Sequence, residues 1–132
     1  GRSDDTLKVA GKRIGPAEVE SAAVAHEAVQ EAAAIGVPDE LKGESVVVFA
    51  VLRPGFTASP ALGESVRQAI SHQLGASMRP KAVLFVADLP KTRNAKIMRR
   101  VIRAAYLSLP TGDLTSLENP TAVEEIAALG AK

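Results

Sequence analysis

The residue types that could do chemistry concentrate between Pro90 and Arg103, Pro-Lys-Thr-Arg-Asn-Ala-Lys-Ile-Met-Arg-Arg-Val-Ile-Arg. Six of the sixteen basic residues stand there (Lys91, Arg93, Lys96, Arg99, Arg100 and Arg103), and no acidic residue occurs between Asp88 and Asp113. Thr92 to Ala95 lack the apolar period of a strand or helix, whereas Ile97, Val101 and Ala104/Ala105 follow at helical spacing. The pattern predicts a mobile basic loop feeding a helix, with Lys96 at the junction. An ammonium so placed can be brought to a phosphate or to a developing negative charge. The plain alternative is a solvated charge run beside a structural helix.

The rest of the chain must position that loop. With 132 residues, 46% of them hydrophobic, the chain is long enough for one domain with a real core. Net charge is only +1, so the basic stretch is local and a general polyanion binder is disfavoured. The absence of cysteine excludes disulfides, thiolate metal sites and a cysteine nucleophile. Two histidines, His26 and His72, are too few to suggest a metal cluster, so no metal site is expected. Aromatic residues, at 3%, leave little to stack on single-stranded nucleic acid. No apolar run is long enough for a membrane span and no signal-peptide pattern opens the sequence, which points to a cytoplasmic protein without a membrane partner. A first residue Gly1 without a preceding methionine suits a fragment or a trimmed terminus.

Taken in order, residues 1–5 are a polar linker, and Thr6–Ala10 with Arg13-Ile14 form a hairpin about the Gly11-Lys12 turn. Pro16 opens a helix with Glu18 and Glu20 favourable in its first turn, ending near His26, which serves as a helix-end cation. Val29–Val37 reads as a strand stopped by Pro38-Asp39. Ser45–Leu52 is the strongest strand, β-branched, central and covered on both faces. Ser59-Pro60 starts a helix with a Leu62, Val66, Ala69, Ile70, Leu74 stripe that Gly75 ends. Ala82–Val86 is a third buried strand, and Asn119-Pro120 caps a last short helix. The expected class is α+β: a small central sheet of about three strands with helices packed on it, plus an N-terminal two-stranded hairpin.

Two separated stretches resemble one family. Gly1-Arg2-x-Asp4-x-x-x-Lys8-x-x-Gly11-x-Arg13-Ile14, followed by Pro16-x-Glu18-x-Glu20, is similar to the hinge motif of the adenylate-forming (AMP-binding) enzymes. Pro90-Lys-Thr-Arg-x-x-Lys96-Ile-Met-Arg-Arg100 resembles that family's last motif, in the form typical of acetyl-CoA synthetase and its short-chain relatives. The tail Gly112-Asp113-x-x-Ser116-Leu117-x-Asn119-Pro120 is similar to theirs as well. The resemblance implies a small C-terminal domain, with a hinge at 1–5, a mobile body at 6–110 and a tail with a short helix at 111–132.

It also implies a reaction. A carboxylate joins ATP to give an acyl-adenylate and pyrophosphate, and the acyl group then passes to the thiol of coenzyme A. By resemblance Lys96 offsets the charge that builds up during adenylation, and Asp4 is the pivot about which the domain turns for the second step. The Gly11 turn would then line the pantetheine channel, and Arg13 would contact the adenylate phosphate. Arg2 belongs to the same motif, and Lys8 is either structural or near the nucleotide in the adenylation pose. ATP and CoA are implied as substrates and Mg2+ is expected in the full-length enzyme, with nothing bound to the fragment alone. The implied partners are a large N-terminal adenylation domain, CoA, and a protein acetyltransferase and deacetylase acting on Lys96, with no nucleic acid.

The sequence departs from the pattern in two places. Ala95 replaces the glycine usual before the lysine, which should narrow the loop's conformations. Ser71 or His72 stands where acetyl-CoA synthetases carry an arginine for the 3′-phosphate of CoA, and Arg67 is a turn away. A reading from another class is a stand-alone basic module for RNA or an acidic partner, which the near-zero net charge and scarce aromatics disfavour.

Overall fold

The computed structural model describes residues 6–9, 11–41, 43–112, 114–115 and 117–130. Asp4 and Arg2 of the hinge motif lie outside them, as do Asp113 and Ser116 of the tail motif. The elements run β1 (Leu7–Val9), β2 (Lys12–Ile14), α1 (Pro16–Val24), β3 (Val29–Asp39), β4 (Gly43–Leu52), α2 (Pro60–Leu74), a 3-10 turn at Ala76–Met78, β5 (Ala82–Phe85), α3 (Arg99–Tyr106) and α4 (Thr121–Gly130).

β4 is the axis of the sheet. Along its length it pairs with β3, antiparallel from Val29↔Leu52 to Asp39↔Gly43. On its other side β5 runs parallel from Val47↔Ala82 to Ala50↔Phe85. The crossover between β4 and β5 is α2, as a parallel connection demands. Its start is capped by the Ser59 hydroxyl, which accepts from the Leu62 amide at 3.1 Å, and Pro60 occupies its first turn.

The expected sheet of about three strands with a separate hairpin is wrong. Among the described residues there is one five-stranded sheet, ordered β2-β1-β4-β3 with β5 also on β4. The ten residues of β4 outrun β5, which leaves free edge at the Gly43 end, and β1 joins there through Val9↔Gly43. The Lys8 amide adds a 2.9 Å bond to the Glu44 carboxylate. Among the described residues that backbone junction is the one pair Val9↔Gly43, between segments far apart in sequence.

Alternation along β4 covers both faces. Val46, Val48 and Ala50 meet Val19, Ala22 and Ala23 of α1 and Val66 and Ile70 of α2. Val47 and Phe49 meet Val101, Ile102 and Ala105 of α3 and Val123 and Ile126 of α4. Phe49 takes Tyr106 edge-on, ring centroids 5.4 Å apart, which fixes the end of α3 on the sheet. Among the described residues β3 pairs with β4 alone, and two of its outward-facing backbone groups meet side chains. The Ala34 amide donates to Glu20 at 2.9 Å, and the Gly36 carbonyl accepts from Arg103 Nε at 2.8 Å.

His26 lies past the end of α1 at Val24, and as an acceptor at Nδ1 it is not the helix-end cation expected. Its Nδ1 accepts from the Ala28 amide at 3.1 Å, so Nε2 carries the proton and donates to Ser65 Oγ at 2.9 Å, joining the α1–β3 turn to α2. No helix among the described residues is long and apolar enough to cross a membrane.

Candidate active site

The basic stretch is a closed turn on a short stem, where a mobile loop was expected. Leu89 and Pro90 are buried. Lys91 bridges Ile97, the Met98 amide reaches the Pro90 carbonyl at 3.0 Å, and the Thr92 amide reaches the Lys96 carbonyl at 2.9 Å. Inside these bonds the Ala95 amide donates to the Thr92 carbonyl at 2.9 Å, and Ala95 takes φ 63°. This is a tight turn closed by a left-handed residue, the arrangement of a three-residue hairpin loop. Glycine fills such a position without strain, and alanine does not.

Ala95→Gly should therefore stabilise the 132-residue chain by about 0.5–1 kcal/mol, the left-handed penalty less the added chain entropy of glycine. A urea midpoint that fell or stayed put would contradict the turn geometry.

Lys96 follows on the tip. It is exposed, no described residue pairs with its ammonium, and the Thr92 hydroxyl accepts from its amide at 3.3 Å. The stem is tied down by Lys91, whose ammonium pairs with Glu31 of β3 and lies 3.9 Å from Asp88. After the tip, Arg99 opens α3 and makes a two-bonded ion pair with Glu20 of α1, at 2.7 Å through Nε and 2.6 Å through Nη2. The lysine backbone is thus anchored on both sides while its side chain stays free.

The other predicted residues lie on the β1–β2 hairpin. Gly11 forms its turn at φ 81°, with nothing of the chain near the position of a Cβ. Lys8 and Arg13 are cross-strand partners, both exposed. Like charges directly opposite repel, so the pair costs stability unless an anion lies against it. Lys8 also lines a cleft of about 610 Å³ with Glu44, Arg99, Arg100 and Arg103. Arg100 is exposed and makes no ion pair with a described residue.

Lys8 and the α3 arginines are therefore brought together, whereas Lys96, Gly11 and Arg13 do not line that cleft. The hairpin joins β4 at Gly43, and the Lys96 stem is held by Glu31, which pairs with Val51 near the other end. Those anchors are roughly 27 Å apart at about 3.4 Å per residue.

At the CoA-phosphate position, Ser71 and His72 line a shallow depression with Arg79. Arg67 points away, donating to the Pro80 carbonyl at 2.8 Å and to Glu64 at 2.6 Å. Its guanidinium holds the Glu64 carboxyl below its ordinary value. Among the described residues no three His, Asp or Glu side chains gather as a metal would require.

Two site-building residues escaped the sequence reading. Glu20 was expected to support the helix start, yet it is 9% exposed and joins α1, β3 and α3. Asn119 was expected to cap α4, yet its side chain bonds to residues 88–91. Neither partner set could be read locally: 79 residues separate Glu20 from Arg99 and 28 separate Asn119 from Lys91.

The profile of the family described as AMP-binding enzyme C-terminal domain matches residues 18–96. The acetyl-coenzyme A synthetase of Methanothrix thermoacetophila is 54% identical over 126 residues, covering 96% of this chain and 19% of that protein. The crystal structure of an acyl-CoA synthetase from Brucella canis superposes with a TM-score of 0.74 at 47% identity, over 80% of this chain and 19% of that one. The anthranilate CoA ligase AuaEII, solved with anthranoyl-AMP, superposes at 0.73 with 42% identity, over 80% of this chain and 20% of that one. The chain spans about a fifth of the length of the curated relatives it matches. With the family profile matching residues 18–96 and relatives about half identical over nearly the whole chain, the chain belongs to the AMP-binding enzyme C-terminal domain family and is closely related to the acetyl-CoA and other acyl-CoA synthetases.

Proposed function

We propose that the chain is the mobile C-terminal domain of an ATP-dependent acyl-CoA ligase acting on acetate or another short-chain acid. The observation that carries this reading is an exposed Lys96 ammonium, unpaired among the described residues, on a backbone fixed by Thr92. Adenylation builds negative charge between the attacking carboxylate and the α-phosphate. An ammonium already in place lowers that barrier without reorganisation. The anchoring of the Lys96 stem and the Gly11 hairpin near opposite ends of β4 suits a domain that presents one and then the other to a single adenylate.

In the second pose Gly11 leaves room for the pantetheine arm, and the side-by-side cations Lys8 and Arg13 supply charge for the phosphate. Asp4 is the pivot, and Arg2 belongs with it in the hinge. Mg2+ would travel with ATP, and the described residues hold no ligand set for it, so this chain's own part is electrostatic. The acid pocket and the phosphate-binding loop belong to a large adenylation domain outside the chain, so the 132 residues alone are inactive. Lys96 is open to acetylation, which would remove its charge and silence the first step until a deacetylase restored it.

The full-length protein given acetate, ATP and CoA should release AMP and pyrophosphate. Gly11→Leu should lower thioester formation by about 100-fold through blocked access and backbone strain, with pyrophosphate exchange within about threefold. Release of ADP, or an equal loss in both half-reactions, would overturn the reading.

A further inference from the structure

Asn119 stands between the Lys91–Lys96 turn and α4, and its whole amide is directed back onto the stem of that turn. Its Oδ1 accepts from the Lys91 amide at 3.0 Å, and its Nδ2 donates to Asp88 Oδ2 at 2.6 Å and to the Leu89 carbonyl at 2.7 Å. The adjacent backbone continues the contact, with the Glu118 amide reaching the Lys91 carbonyl at 2.9 Å and Leu117 bridging Thr92. Thr92 in turn holds Lys96 by both of that residue's backbone groups, through the Lys96 carbonyl and the Lys96 amide. The path from Asn119 to Lys96 is therefore short: a hydrogen bond to Lys91, the peptide link to Thr92, and two hydrogen bonds from Thr92 to Lys96.

The chemistry of position 119 is specific. It needs one acceptor for the Lys91 amide and donors for a carboxylate and a carbonyl, a set that an uncharged carboxamide supplies. A carboxylate there would face Asp88 and the Leu89 oxygen with no proton to offer. A methyl would leave the Lys91 amide and the Leu89 carbonyl without this partner.

We propose that Asn119 is a positioning residue for adenylation: it clasps the stem from the tail side and so fixes where Lys96 presents its ammonium. The proposal rests on the assignment of adenylation to Lys96. Misplacing a reacting group by even an ångström slows a step far more than it weakens binding. The clasp should therefore act on turnover and spare ATP affinity.

The test uses the full-length protein with Lys96→Ala, Asn119→Ala, Asn119→Asp and the exchange pair Asp88→Asn/Asn119→Asp. Asn119→Ala should lower kcat for pyrophosphate exchange about 10- to 100-fold, with KM for ATP and thioester formation from supplied adenylate each within about twofold. Hydrogen exchange at the Thr92 amide should quicken by about tenfold or more as the turn loosens. Asn119→Asp should be slower still, and adding Asp88→Asn should recover part of the lost rate by restoring a donor–acceptor pair.

Wild-type exchange kinetics in Asn119→Ala beside a dead Lys96→Ala would overturn the clasp and leave the lysine assignment standing. Equal losses in both half-reactions, or an exchange pair no faster than Asn119→Asp, would reduce Asn119 to a structural residue and overturn it as well. Should Lys96→Ala leave adenylation untouched, the assignment of the lysine fails and the clasp with it.

Discussion

Lys96→Ala in the full-length protein is expected to lower acyl-adenylate formation by about 100- to 1000-fold, the loss seen when one preorganised charge or donor is removed from a transition state. Transfer of the acyl group from supplied adenylate to CoA should stay within about threefold if, as proposed, the domain turns the lysine away for that step. The asymmetry follows from the way the residue is held. Its backbone is bonded to Thr92 through both its amide and its carbonyl, and no described residue pairs with its ammonium. Removing the side chain therefore takes away a charge and leaves the turn intact. Pyrophosphate exchange and single-turnover thioester formation measured side by side decide the matter. Matched losses in the two would mean that Lys96 supports the fold or the domain interface, and its assignment to adenylation would fail.

The second large effect is on stability. Glu20→Ala should destabilise the 132-residue chain by about 3 kcal/mol, the low end of the range for breaking a buried ion pair, since Arg99 keeps some access to water. The carboxylate is 11% exposed and its partner guanidinium 22%, so screening weakens the pair only in part. The same carboxylate accepts from the Ala34 amide, and its loss takes a buried backbone donor's partner away. Glu20→Gln, which keeps one acceptor and gives up the charge, should cost about half as much. Urea unfolding of the two variants checks the order. A midpoint shift worth less than about 0.5 kcal/mol for Glu20→Ala would show the pair to be surface-like.

How much of this was legible in the sequence depended on how local the cause was. β4 announced itself because Val46–Leu52 is an unbroken apolar run, and its burial on both faces followed. The start and stop of α2 were equally local, lying in Ser59, Pro60 and Gly75. The union of hairpin and sheet was not legible, because it turns on Val9 meeting Gly43 across a chain separation that no periodicity records. The closed turn around Lys96 was missed for a different reason. Its signature is a glycine in the left-handed position, and here Ala95 occupies that conformation without advertising it. Both chemical stretches were found by residue type and spacing, while Glu20 and Asn119, which hold the lysine-bearing one, looked like ordinary polar residues until their distant partners came into view.

β3 ends the sheet with eleven residues, most of them apolar and buried, and an open edge of that kind is a template on which a second molecule can add a strand. Here the Glu20 carboxylate covers the Ala34 amide, the Arg103 guanidinium covers the Gly36 carbonyl, and Pro38 offers no amide at all. Glu20, which anchors the start of α3 just after the lysine-bearing turn, thus also helps to guard the molecule against edge-to-edge polymerisation, so a chain weakened at Glu20 should lose solubility as well as stability.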